Sequence, residues 1–195
     1  MNRGTWTMRI LAALALGLTS VGSASAGLLP TLVTVTPEAG NFRWQYAIVL
    51  PTDMKLQAGN FFTIYDFQGL VPGTVAGPDA NWTATVLNTG TTPALLNPTD
   101  DPTIPNLVFK YTGPTIPAGQ LGLGNFIASS TFSQHNEVSF TAETNRTSDG
   151  LKDSNITTTD APIGSVQGVP EPATLALAAL GLPLIGLSRL RRKKA

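Results

Sequence analysis

Between residues 27 and 169 apolar and polar side chains alternate with a period of two, the repeat of a strand that buries one face. In residues 42–50 one face collects Phe42, Trp44, Tyr46, Ile48 and Leu50, and the other carries Arg43, Gln45, Ala47 and Val49. The segment 60–67 (NFFTIYDF) is aromatic and β-rich, with Gly59 before it and Gly69 after it. Further strands are predicted at 31–36, 82–87, 106–112, 125–130 and 137–143. In the last of these, Val138, Phe140 and Ala142 alternate with Glu137, Ser139, Thr141 and Glu143. Breakers such as Pro51-Thr52-Asp53, Val71-Pro72-Gly73, Gly77-Pro78-Asp79 and Gly113-Pro114 separate them. Short strands joined by Gly/Pro turns, with no helical stretch between the termini, predict an all-β fold. The expected form is a β-sandwich, Ig-like or jelly-roll-like, of about 7–9 strands. An up-and-down barrel is the alternative, and periodicity does not order the strands.

The alternation fades near Asn145. Residues 145–168 are nearly devoid of large apolar groups and rich in Thr, Ser, Asp and Gly. Such a composition buries too little to order itself. The expectation is therefore a domain at 27–144 followed by a flexible stalk at 145–168, the alternative being an edge strand around Ile156.

Both ends break the pattern with continuous apolar runs. Residues 1–26 carry Arg3 and Arg9, an apolar run at 10–18, and small residues ending in Ala24-Ser25-Ala26 before Gly27. This is the layout of a signal peptide, with the signal peptidase site at Ala24, Ala26 and Gly27. At the other end, 169–195, the apolar run 173–187 contains Pro183 and would measure about 22 Å as a helix, against a hydrocarbon core of about 30 Å. The expectation is a short transmembrane helix, stopped by the basic cluster Arg189, Arg191, Arg192, Lys193 and Lys194 on the cytoplasmic side. Pro170 and Pro172 withhold two amide donors, which predicts an extended Pro170-Glu171-Pro172.

Those three ordered parts, Pro170-Glu171-Pro172, the apolar run and the basic tail, resemble the PEP-CTERM sorting signal of Gram-negative bacteria. The resemblance covers about the last 26 residues. It implies that an integral-membrane exosortase recognises the Pro-Glu-Pro element and processes the chain there. The protein would be held transiently in the inner membrane, then delivered to the cell surface or extracellular matrix, in company with exopolysaccharide. The block from Trp44 through Ala128 resembles a sequence type met among such proteins, and no activity is implied by it.

Charge and composition narrow the chemistry of the middle. Seven of the twelve basic residues are terminal, so the span from Gly27 to Val169 holds eleven acidic side chains against five basic ones. An acidic domain repels phosphate backbones, and no nucleic-acid partner is expected. With no cysteine, disulfides, thiolate metal sites and a lipid-modified Cys are excluded. His135, in a polar stretch expected as a turn, stands without a G-x-S-x-G elbow or other triad signal. Asp100-Asp101 could work as acid and base or hold Ca²⁺; Asp149, Asp153 and Asn155 alternate oxygens without EF-hand spacing. Solvated loop acids are the simpler account of both groups. Trp82 or Tyr65 could stack on a sugar, with core packing the simpler account again. Asn81, Asn145 and Asn155 stand in glycosylation sequons. The expected function is a non-enzymatic exported surface or matrix protein associated with exopolysaccharide or biofilm, with no catalytic residue, cofactor or metal. The alternative is an extracellular carbohydrate-binding module or carboxylate-dependent glycoside hydrolase.

Overall fold

Alternation of period two becomes strand wherever a turn lets the apolar face fold back on another. The computed structural model describes residues 27–164, except Ala118 and Gln120. Among the described residues run β1 (Leu29–Glu38), β2 (Asn41–Leu50), β3 (Met54–Lys55), β4 (Phe61–Ile64) and β5 (Trp82–Leu87). They are followed by β6 (Asn106–Tyr111), β7 (Leu121–Ser130), β8 (His135–Arg146) and β9 (Lys152–Pro162). The β1–β2 hairpin turns on Ala39 and Gly40, both at positive φ (49° and 82°), which matches the right-handed twist of the flanking strands.

The strands form two antiparallel sheets. The smaller has the order β1-β2-β7. In the larger, β8 pairs along 135–145 with β9, and along 140–143 and 145–146 with β4 and β3. Beyond β4 lie β6 and then β5. One core joins the two sheets. Trp44, Tyr46, Ile48 and Leu50 of β2, with Phe126 of β7, share it with Phe62, Leu107, Phe109 and Phe140 of the larger sheet. Phe62 is fully buried and has four aromatic neighbours, including Phe126 of the opposite sheet at 4.8 Å, edge to face. The expected inward face of β2 is the observed one, with Phe42 only half-buried at its end.

The outer face of the larger sheet is covered as well. Thr63, Tyr65 and Thr141 point away from the core yet are fully buried, because the strandless segment 88–105 lies across them as a strap. Thr63 Oγ1 donates to the Thr91 carbonyl at 2.7 Å, and the Tyr65 hydroxyl bonds Thr92 Oγ1 at 2.7 Å and Thr141 Oγ1 at 3.2 Å.

The structure corrects the reading of the chain after Asn145. Residues 152–162 are not a stalk; β9 is an edge strand with eleven residues in register against β8, so the fold extends past residue 144 to Gly164. Thr159 and Ala161 turn inward and are buried, while Ile156 and Thr158 stay exposed. A partner with an open edge supplies what the composition lacks: backbone pairing orders a strand that buries few large groups. His135 likewise opens β8 instead of sitting in a turn. Residues 1–26 and 165–195, which hold the expected signal peptide and transmembrane helix, lie outside the described residues.

Candidate functional site

The expected sorting residues Pro170, Glu171 and Pro172, the basic cluster from Arg189 to Lys194, and Ala24 and Ala26 all lie outside the described residues. Gly27, the first described residue, is buried against the β8–β9 pair, beside Asn155 and the Ala142 carbonyl. At the other end, β9 is fastened beyond its last pair. The Ile163 amide donates to the Gln134 carbonyl at 2.8 Å and the Gly164 amide to Gln68 Oε1 at 2.9 Å. Five residues, 165–169, then separate the fastened fold from Pro170.

A cleft of about 420 Å³ opens at this same end, between the strap and the first residues of β8. Asp66, Asp101, Asn136, Glu137, Ser139 and Thr158 are among its lining residues. Asp66 carries the backbone out of β4 at φ 52°, a left-handed conformation that Asp tolerates better than most residues. Its amide donates to Asn106 Oδ1 at 2.8 Å, and its Oδ1 accepts the Asp101 amide at 2.9 Å. Partial burial pushes the Asp66 carboxyl above its ordinary range; the Asp101 amide opposes that rise and the charges of Asp100 and Asp101 add to it. Asp101 moves the other way, because the amide and hydroxyl of Thr103 both donate to its Oδ1, at 2.9 and 2.7 Å.

Asp100 and Asp101, adjacent in sequence, therefore do not form a pair. Asp100 accepts from Asn106 Nδ2 at 2.8 Å and faces the Gly90 amide, whereas Asp101 caps its own turn and tethers Asp66. Both close the strap. Asp66 and Ser139 of this cleft, the latter receiving the Thr99 amide on its hydroxyl at 2.9 Å, and the buried Asn106 that bonds both Asp66 and Asp100, are the residues that sequence reasoning missed. Their partners lie between six and forty residues away, and no local signal announces such contacts.

The remaining candidates are dispersed. Asp149 accepts the Leu151 amide and pairs with Arg146 at 2.8 Å, Asp153 caps Ser154, and Asn155 turns its amide nitrogen to the Leu28 carbonyl at 3.2 Å. Among the described residues no three His, Cys, Asp or Glu side chains gather as metal ligands would. Trp82 and Tyr65 are buried, at 8% and 0% exposure, so neither offers a stacking face. Of the sequon asparagines, Asn145 gives its Nδ2 to the Gly150 carbonyl and Asn155 to that of Leu28, so both amide nitrogens are occupied. Asn81 is half-buried beside Gly113.

Comparison with known families identifies one segment. The family model described as the PEP-CTERM protein-sorting motif matches residues 168–193, which takes in Pro170-Glu171-Pro172, the apolar run and most of the basic cluster. The motif implies export, transient anchoring in the membrane and processing by exosortase. No curated protein matches the chain.

Proposed function

We propose that this chain is a non-enzymatic exported protein whose two packed sheets form a β-sandwich delivered to the cell surface or extracellular matrix, where it associates with exopolysaccharide. The leader 1–26 is removed by signal peptidase, and the sorting segment holds the domain at the inner membrane until exosortase acts. The observation that carries this reading is the sorting motif at 168–193, whose Pro170 is separated by five residues from Gly164, the last fastened residue of the fold. The use made of Asp66 and Asp101 in the cleft, and of Asp100 next to Asp101 in sequence, supports a non-enzymatic role, since all three hold the strap. The exposed Asn136 and Thr158 at the cleft mouth offer the amide and hydroxyl groups that suit hydrogen bonding to sugar hydroxyls.

Replacing Pro170, Glu171 and Pro172 with Ala tests this reading. The apolar run and the basic cluster remain, so insertion survives. Processing fails, and uncleaved chain accumulates in the inner membrane. A C-terminal tag and intact mass, followed in hosts with and without exosortase, read the outcome. Trimming of the triple variant as efficient as that of the parent would remove Pro-Glu-Pro as the recognition element.

A second reading makes the same cleft a glycan-cleaving or glycan-binding site. It draws on one observation: the surroundings of Asp66 and Asp101 drive their carboxyl groups in opposite directions, the pattern of an acid and a base. Turnover of host polysaccharide by the purified chain, abolished in both Asp66→Asn and Asp101→Asn, would establish it in place of the first.

A further inference from the structure

The start of the described chain is built tightly. Leu28 is fully buried, and its carbonyl receives Asn155 Nδ2 at 3.2 Å, which crosses from β9 to the chain entering β1. With its nitrogen committed there, Asn155 turns Oδ1 towards Gly27. A Cβ built on Gly27 would collide with that oxygen and lie 3.3 Å from the Ala142 carbonyl. A larger residue at position 27 would therefore have to displace the Asn155 amide, although the φ there is an ordinary one that other residues could adopt. Shape sets the requirement.

Asn155 Oδ1 is buried and has no hydrogen-bond partner. A buried acceptor left unpaired is costly, and native folds rarely keep one without a reason. Within an uncut chain the nitrogen of Gly27 is a secondary amide, with one N–H in a direction set by the peptide plane, and it does not bond this oxygen. A free α-amine at the same nitrogen carries three N–H donors on a rotating tetrahedral centre. It also makes the stronger, charge-assisted kind of bond. The Ala142 carbonyl, 3.3 Å from the same Cβ position, is a further acceptor beside the notch.

We propose that the α-ammonium created by cleavage between Ala26 and Gly27 docks in this notch as the donor to Asn155 Oδ1. Removal of the leader then completes the fold by tying the new amino terminus to β9. The proposal rests on the reading that the leader is cut after Ala26, and it adds a consequence for where the cut falls. A terminus one residue longer restores the one-donor amide at Gly27 and leaves the oxygen orphaned. Asn155, the asparagine of a sequon, becomes a receptor for the amino terminus and is withdrawn from glycosylation.

The test uses the full chain exported with its own leader from a host lacking exosortase, beside a variant with Ser inserted between Ala26 and Gly27. Amino-terminal sequencing first reads the cut. Expected are Gly27 in the parent and the inserted Ser in the variant. The insertion should lower the melting temperature by roughly 2–4 °C, the shift expected for loss of one such bond in a chain of this size. That fall should vanish when both chains carry Asn155→Ala, since the partner is then gone. Should the alanine chains not fold, acetylation of the terminal amine by an activated ester at pH 7, read by peptide mass, decides on the unmutated pair. The Gly27 amine should react severalfold more slowly than the Ser amine. A parent that begins at Gly27 yet shows neither the melting shift nor the slow reaction overturns the docking alone. A parent that begins elsewhere overturns the cleavage reading and the docking with it.

Discussion

Asp66 shows how far a residue's role can sit from its neighbours in sequence. It follows an aromatic strand run, takes a left-handed φ and anchors a loop thirty-five residues on. Its carboxyl is raised in the folded state, chiefly by burial, so folding binds its proton more tightly than unfolding does. The stabilising contribution of that proton is complete below the ordinary carboxylate range and is lost as pH rises through the raised value. Asp66→Asn keeps an oxygen to accept the Asp101 amide and removes the charge. The variant is therefore expected to match or exceed the parent in urea midpoint at pH 7, with the gap closing by about pH 4. A variant that loses most against the parent at pH 7 would contradict this account. Asp100 and Asp101 make the converse point. Adjacency in sequence suggested a pair, but the turn at Asp101 and the distant Asn106 drew the two carboxylates to different tasks.

At the scale of elements, the strands with large side chains on one face were legible. The expected 82–87 coincides with β5, and the expected 106–112 differs from β6 by one residue. The alternation is itself the product of a buried face, so burial and sequence carry one signal there. β9 was foreseen only as the alternative, an edge strand around Ile156, because its burial is slight and its ordering comes from β8. The β-branched run Ile156-Thr157-Thr158-Thr159 was the available cue, and it was outweighed by polar composition. The strap was invisible for another reason: buried hydroxyls at Thr63, Tyr65 and Thr141 look, in sequence, like the solvent face of ordinary strands. The dependence of β8 on β9 can be measured. A chain ending after Thr147 strips eleven paired residues from β8 and uncovers Phe140 and Ala142 at a new edge. It should lose its cooperative thermal transition and aggregate, whereas a chain ending after Gly164 should melt as the parent does. Circular dichroism with light scattering distinguishes the two.

Over the whole molecule, charge is segregated along the strands. Among the described residues, Glu38, Asp66, Asp100, Asp101, Glu137 and Asp160 lie towards the end where the chain leaves, against the guanidinium of Arg43, itself 3.6 Å from Glu38. Lys55, Lys110, Arg146 and Lys152 lie towards the other end, interspersed with acids. A tether of five residues reaches about 17 Å at most, so the acidic end stands close to the membrane while the sorting segment is anchored. The sorting motif was legible in full because its parts are linear and need no fold. The length of the tether was not legible, since it depended on where β9 stops. Deleting residues 165–169 should leave insertion intact and slow processing at least severalfold, by bringing the folded end against the site of cleavage. Five Gly/Ser residues in their place should restore the rate, followed by tag loss over time in the exosortase-bearing host. Equal rates for all three chains would show that the spacing is immaterial.

The position of β9 also sets a clock. A chain threaded amino end first through a translocation channel presents β8 on the far side while its partner is still inside. The edge of β8 stays open until residues 152–162 emerge, and Pro170 follows Pro162 by eight positions. The larger sheet thus closes at nearly the moment the sorting label reaches the membrane. A product broken off before β9 would lack its closing strand and its label together, and its exposed edge would mark it for quality-control proteases.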